Sequence, residues 1–143
     1  MNILVIHGPN LNMLGKRDPK LYGAFTLEHL YEELSTNHFP EINFTFFQSN
    51  FEGEIIEVIQ QSLEESYDAL LINPGAYSHT SIAIRDALEL LEIPKVEVHI
   101  SDVENRESFR KVDYIKDVCN ERFMGKKIDS YLEAIQYLLN LED

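Results

Sequence analysis

Short apolar runs alternate with longer stretches whose apolar residues recur at helical spacing. Asn2 to His7 carries Ile3-Leu4-Val5-Ile6 and reads as a first strand. Thr26 is placed as a helix N-cap with Glu28 in the first turn, and that helix is expected to run to about His38, closed by Pro40. Ile42 to Gln48 is β-rich and predicts a second strand. Glu54 to about Tyr67 spaces Ile55, Ile56, Ile59 and Leu63 for one face of a helix. Ala69-Leu70-Leu71-Ile72 is a continuous apolar run, the mark of a strand buried on both faces. Ser81 to Leu91 predicts a helix closed near Pro94, and Val96 to Ile100 a fourth strand. Cys119 to Met124 suggests a fifth strand, and Ser130 to Leu141 a last helix with Tyr131, Leu132, Ile135, Leu138 and Leu139 apolar.

Strands alternating with helices imply a parallel sheet covered on both faces, here a flavodoxin-like, doubly wound, five-stranded α/β/α arrangement. Ligands of such sheets bind beyond the carboxyl ends of the strands. Polar residues collect there: His7-Gly8-Pro9-Asn10, Gln48-Ser49-Asn50, Asn73-Pro74-Gly75-Ala76, and Glu97, His99 and Ser101.

Size and charge narrow the choice. The chain has 143 residues, 44% of them hydrophobic, which suits one domain over residues 1–143. Lys and Arg number 12 against 25 Asp and Glu, a net charge of −13. That argues against a nucleic-acid groove or an anionic membrane surface, and leaves room for a small anionic substrate in a locally positive pocket. One cysteine, Cys119, permits no intrachain disulfide and reads as a buried small residue rather than a nucleophile. With no signal-peptide pattern and no long apolar run, a cytoplasmic location is expected.

The segment from Gly8 to Gly23 is punctuated by glycine and proline and is expected to be a loop, yet it carries Asn10, Asn12, Arg17 and Tyr22. An isolated Tyr, with a pKa of ~10, is a poor base at neutral pH. A nearby guanidinium favours the phenolate, so Arg17 and Tyr22 could form a base; the same pair could equally pack a surface loop. Residues Leu11 to about Ala24 are expected to act as a mobile lid. On the fourth strand, Glu97, His99 and Ser101 share a face, and a carboxylate beside His99 is expected to orient it and raise its pKa, as a general acid needs. Asn73 through Ser81 is a turn entering a helix capped by Thr80 or Ser81, where an anion can settle. Arg106 and Arg110 follow the fourth strand as cations for a ligand or as partners of Glu104 or Glu107. Asp86, read alone, is a solvent-facing acid. The sequence contains no G-x-G-x-x-G, P-loop, G-x-S-x-G or H-E-x-x-H pattern. The spacing of His7, His79 and His99 leaves open whether they meet in space.

Together these residues closely resemble type II 3-dehydroquinate dehydratase. The likeness includes Gly8-Pro9-Asn10-Leu11-Asn12 with Arg17, Pro19, Tyr22 and Gly23; Gln48-Ser49-Asn50 with Glu52-Gly53-Glu54; Asn73-Pro74-Gly75-Ala76 with His79-Thr80-Ser81; Ala83 to Leu88; and Glu97 to Ser101 with Arg106-Glu107 and Phe109-Arg110. It spans nearly the whole chain and is most specific up to about residue 110. Before the last helix the family is often richer in glycine, where this chain has Glu121-Arg122-Phe123-Met124-Gly125-Lys126-Lys127-Ile128.

The resemblance implies anti elimination of water from 3-dehydroquinate through an enolate, with neither metal nor organic cofactor. It implies Tyr22 as the base for the C2 proton, assisted by Arg17, and His99, held by Glu97, as the acid for the C1 hydroxyl. It implies that Asn10 and Asn73 place a water for the enolate. Asn73 and the backbone N–H groups of Ile100 and Ser101 then hold the carboxylate, and His79 and Arg110 bind ring hydroxyls. Arg106 takes a supporting part. Asp86 reaches a neighbouring subunit, in trimers that assemble into a dodecamer. A flavodoxin-like module holding a flavin or nucleotide is the alternative that the fold alone permits, and metal-assisted hydrolysis through the histidines is a more remote one.

Overall fold

The computed structural model describes residues 1–142. Its sheet has the order β2-β1-β3-β4-β5, with β1 (Asn2–His7), β2 (Asn43–Gln48), β3 (Ala69–Asn73), β4 (Lys95–His99) and β5 (Glu121–Met124). Every neighbouring pair is parallel. This is the expected flavodoxin-like arrangement, and its strand order reverses between β1 and β3.

The side-chain period of two divides the core between the sheet's two faces. Ile3, Val5, Ala69, Leu71, Val96 and Val98 face one layer, and Leu4, Ile6, Leu70 and Ile72 face the other. The described residues form five α-helices: α1 (Pro19–Tyr22), α2 (Leu27–Glu32), α3 (Glu52–Gln61), α4 (Ile82–Glu89) and α5 (Ile128–Leu141). Leu30 of α2 and Tyr131, Ile135 and Leu138 of α5 pack on the first face. Ile55 and Ile59 of α3 and Ile84 and Leu88 of α4 pack on the second. Each fully buried Ile or Leu stabilises the fold by roughly 1.5–3 kcal/mol. The three central strands are therefore the rigid frame on which their loops are mounted.

Most elements fall within a residue or two of expectation. Thr26 caps α2 by accepting from His29 N–H at 3.1 Å, and Ser81, rather than Thr80, caps α4 by accepting from Ile84 N–H at 2.9 Å. The helix expected to run regularly to His38 instead widens into a π-type turn over Glu33–His38. Ser35 Oγ bonds back to the Tyr31 carbonyl at 2.8 Å, competing with the regular ladder, and Phe39 N–H reaches Leu34 at 2.9 Å to close the wide turn. The helix predicted from Glu54 to Tyr67 starts at Glu52 and ends at Gln61, followed by a 3₁₀ turn over Ser62–Glu64. Ser62 Oγ turns inward onto the Ile59 carbonyl at 2.6 Å, where the regular winding stops. Cys119 is half-buried, and burial pushes its thiol well above the ordinary range, so it carries little thiolate at neutral pH.

β1 and β3 approach closely at their carboxyl ends. Gly8 N–H donates to the Asn73 carbonyl at 2.8 Å. A Cβ at Gly8 would stand 2.3 Å from the Pro74 carbonyl oxygen. Gly75, on the facing loop, has φ +58° in the left-handed region that favours glycine. Among the described residues, no helix is long and apolar enough to cross a membrane.

The Gly8 contact gives a direct test. Gly8→Ala forces two backbone segments apart and should destabilise the fold by about 1–3 kcal/mol, the range for overpacking. The urea midpoint should fall. An unchanged midpoint would show that the strand ends separate without cost.

Candidate active site

The loops after β1, β3 and β4 surround one cleft at the carboxyl edge of the sheet. Asn10 and Leu11 come from the first loop, Asn73, Gly75 and His79 from the second, and His99 through Ser101 from the end of β4. Arg17 and Tyr22 close one side, and Arg106 and Arg110 another. The cleft measures about 120 Å³.

The segment expected to be a loop is locally folded. It forms a 3₁₀ turn over Leu11–Met13 and then α1, whose N-cap Asp18 accepts from Lys20 N–H at 3.0 Å. Leu11, Leu14 and Tyr22 are buried in the main core, which anchors the segment. The expected pairing of Arg17 with Tyr22 is present. Arg17 Nη2 donates to the Tyr22 phenol oxygen at 2.7 Å, its guanidinium carbon 3.7 Å from the ring centre. Arg106 Nη1 donates to the same oxygen at 2.8 Å and to Ser101 Oγ at 3.1 Å. Negative charge on that oxygen is thus met by two cations. The sequence gives Arg106 only a supporting part, because a loop arginine seven residues beyond β4 carries no hint of which side chain it will reach.

On β4, Val96 and Val98 face one layer and Glu97 and His99 the other. His99 Nε2 lies 2.5 Å from Glu97 Oε2. The expected rise in the His99 pKa is overturned. Burial pulls it down to about 4, although Asp113 acts in the opposite direction. Burial first, and Asp113 second, push Glu97 up to about 10. The carboxyl is therefore the proton-rich member, and the pair together keeps one acidic proton at neutral pH. His79 stacks beside His99 with ring centres 6.4 Å apart, and its Nδ1–H donates to the Val112 carbonyl at 2.6 Å. That bond leaves Nε2 of His79 as the free ring nitrogen.

Asn10 adopts the left-handed conformation, φ 68°, and its backbone N–H donates to Asn50 Oδ1 at 3.0 Å. Arg110 lines the cleft and is braced by Glu107 at 2.9 Å, as the salt-bridge reading anticipated. Glu104 instead pairs with Arg122. Asp86 is exposed on α4 and does not line the cleft of its own chain. His7, His79 and His99 do not converge, since His7 lies outside the cleft lining. Glu97, His99 and Asp113 offer ligand-type atoms within 4.8 Å of one another. Glu97 Oε2 is bonded to His99, and Asp113 to Arg122 and backbone N–H groups.

A small cleft that pairs a cation-clamped phenol with a buried His–Glu pair, edged by three arginines, offers groups suited to acid–base chemistry on a small anionic ligand. The sequence comparisons make this specific: the chain belongs to the class II dehydroquinase family, whose profile matches residues 1–139. It is 47% identical over 144 residues to the 3-dehydroquinate dehydratase of Helicobacter acinonychis, covering 99% of this chain and 86% of that protein. It is 45% identical over 139 residues to the 3-dehydroquinate dehydratase of Thermotoga petrophila, covering 96% and 94%. The crystal structure of the type II dehydroquinase from Butyrivibrio crossotus superposes with a TM-score of 0.93 at 44% identity, covering 96% of this chain and 97% of that one.

Asn73 is steadied from behind. Its Oδ1 accepts from Gly75 N–H at 3.1 Å and its Nδ2 donates to the Tyr131 hydroxyl at 2.8 Å. That hydroxyl reaches His7 Nε2 at 2.8 Å, and Tyr31 OH lies 3.3 Å from His7 Nδ1. Burial pulls the His7 pKa down to about 3. The unfolded chain takes up a proton near pH ~6.5 that the fold refuses. The contribution is therefore complete above that pH and is lost as pH falls toward 3, at up to about 1.4 kcal/mol per unit. His7→Gln should flatten the acid side of the stability curve, measured by urea unfolding across pH. Curves parallel to those of the wild type would show that the fold tolerates a charged His7.

Proposed function

We propose that the two ends of this cleft carry out, as base and acid, the dehydration that family membership gives this chain: 3-dehydroquinate to 3-dehydroshikimate and water, a step of the shikimate pathway. The observation that carries the assignment is the Tyr22 oxygen held by Arg17 and Arg106 on the same cleft as His99. Tyr22, as phenolate, removes the C2 proton, and the electron pair moves into the C3 carbonyl to give an enolate. The enolate collapses, C1=C2 forms, and the C1–oxygen bond breaks. The hydroxyl leaves as water with the proton supplied by His99, which Glu97 replenishes. Asn10 and Asn73 place the water that stabilises the enolate oxygen. Asn73, with the backbone N–H groups of Ile100 and Ser101, holds the carboxylate, and His79 and Arg110 hold ring hydroxyls. No lysine lines the cleft among the described residues, and Lys16 and Lys20 are exposed, which favours an enolate over an imine.

The whole chain acts as one cytoplasmic domain, and it works in trimers that build a dodecamer. Large exposed apolar side chains support assembly: Phe51 is 68% and Phe109 61% exposed in the single chain. Asp86, exposed on α4, is the residue that a neighbouring subunit's site would receive.

Tyr22→Phe deletes the reacting oxygen and little volume. Turnover should fall ~10²–10⁴-fold, the usual cost of losing a proton-transfer group, followed by the enone absorbance of 3-dehydroshikimate. Wild-type turnover would remove Tyr22 from the mechanism. For assembly, Asp86→Ala should raise KM or shift the sedimentation profile to smaller species. A fully active wild-type monomer in the ultracentrifuge would end the cross-subunit role.

A further inference from the structure

Behind the cleft lies an ion-pair network that the reaction scheme does not use. Asp113 follows the 3₁₀ turn Ser108–Lys111, and its side chain is fully buried. Its Oδ1 accepts from Ile115 N–H at 2.8 Å and Lys116 N–H at 3.2 Å. Its Oδ2 accepts from Arg122 Nη1 at 3.0 Å. Arg122 stands on β5 in register with Glu97 on β4, so the two side chains share a face. Arg122 also binds Glu104 at 2.6 Å, which holds the guanidinium in place. Glu97 meanwhile sends Oε2 to His99 and leaves Oε1 buried with no donor. The Asp113 carboxylate lies beside it, within the 4.8 Å cluster of Glu97, His99 and Asp113.

Two ionised carboxylates in one buried site repel, and an acceptor facing an acceptor satisfies neither. Asp113 already has three N–H donors, of which Arg122 is charged, so it is the member that stays ionised. The negative charge beside the orphaned Oε1 opposes ionisation of Glu97, so Glu97 keeps its proton; held on Oε2, that proton is donated to His99 Nε2, which leaves the N–H on the other ring nitrogen of His99 for the departing hydroxyl. We propose that Asp113 is a positioning residue of the dehydration: its carboxylate, pinned by Arg122, keeps the Glu97–His99 pair loaded with the proton that His99 delivers to the departing hydroxyl. This rests on the reading of His99 as the acid. The other groups facing the pair oppose the loading: Arg122 on β5, Lys116 after Asp113, and His79 across the ring. Asp113 alone among these acts to retain the proton on both members. Cys119 stays neutral, held so by its burial, and Arg106 and Arg110 face from the cleft side.

The test compares kcat/KM against pH in wild type, Asp113→Asn and Arg122→Gln, alongside the ring-nitrogen NMR shifts of His99 in each. Asp113→Asn keeps the shape and removes the charge. Its alkaline limb should move to lower pH by about one unit or more, so that activity above the midpoint falls ~tenfold and returns on acidification. Arg122→Gln removes the opposing cation and should move the limb to higher pH. Opposite shifts separate electrostatics from damage to the fold, and if one variant fails to fold the other still reads the sign. His99 resonances that titrate identically in the folded variants and wild type overturn the role of Asp113. Resonances that shift while the kinetic limb stays fixed leave the electrostatic role standing and remove His99 from its place as the acid.

Discussion

The parallel register of β1, β3 and β4 is the constraint on which the site depends. Parallel pairing brings the carboxyl ends of these strands to one edge. Burial on both faces fixes which side chain each strand sends where, because a slip of one residue would exchange the faces. His99 can face the cleft only if Val98 faces α5, and Asn73 can reach Tyr131 only if β3 ends beside β1. The Gly8–Pro74 approach is the local form of the same constraint. It leaves no room for a side chain because the two loops must meet around a small ligand.

Charge then divides the work. The chain as a whole carries −13, yet Arg17, Arg106 and Arg110 gather on the cleft. Exposed charges beyond about 8–10 Å are largely screened at physiological salt, so a small anion responds to these near cations more than to the distant acids. Burial, together with the neighbouring cations Arg106 and Arg110, pulls the Arg17 guanidinium below its ordinary value, partly offset by Tyr22. That cluster carries unfavourable self-repulsion, which an anionic ligand relieves.

The elements and the cleft residues were legible in the sequence because they depend on local period and on strand ends. Ile3 to Ile6 read directly as a strand, Ala69 to Ile72 as a strand buried on both faces, and Thr26 as a cap. What escaped depends on contacts between distant parts of the chain. Ser35 carries no visible signal that its hydroxyl will disturb the helix ladder. Arg106 reaches Tyr22, 84 residues earlier. Glu97 beside His99 was visible, but the direction in which His99 shifts depends on burial and on Asp113, which the strand pattern does not contain. Arg122 stood inside the stretch that departs from the family's glycine-rich habit, and its charge in the midst of a strand was the one hint of a buried partner.

The proposed base and acid require opposite protonation states at the same pH, and their surroundings differ accordingly. Around Tyr22 the near charges are positive, which accommodates a phenolate. Around His99 and Glu97 desolvation and the Asp113 carboxylate act together on the carboxyl, which retains a proton. Charges of opposite sign placed around two proton-transfer groups are the physical condition for acid–base work near neutrality. Exchanging the two environments would defeat it: cations beside His99 would empty the acid, and carboxylates beside Tyr22 would keep the base protonated. A buried carboxylate such as Asp113 destabilises the fold unless it is paired. Its bonds to Arg122 and to two backbone N–H groups offset that cost, so the negative charge can persist next to the acid without unravelling the layer that holds it.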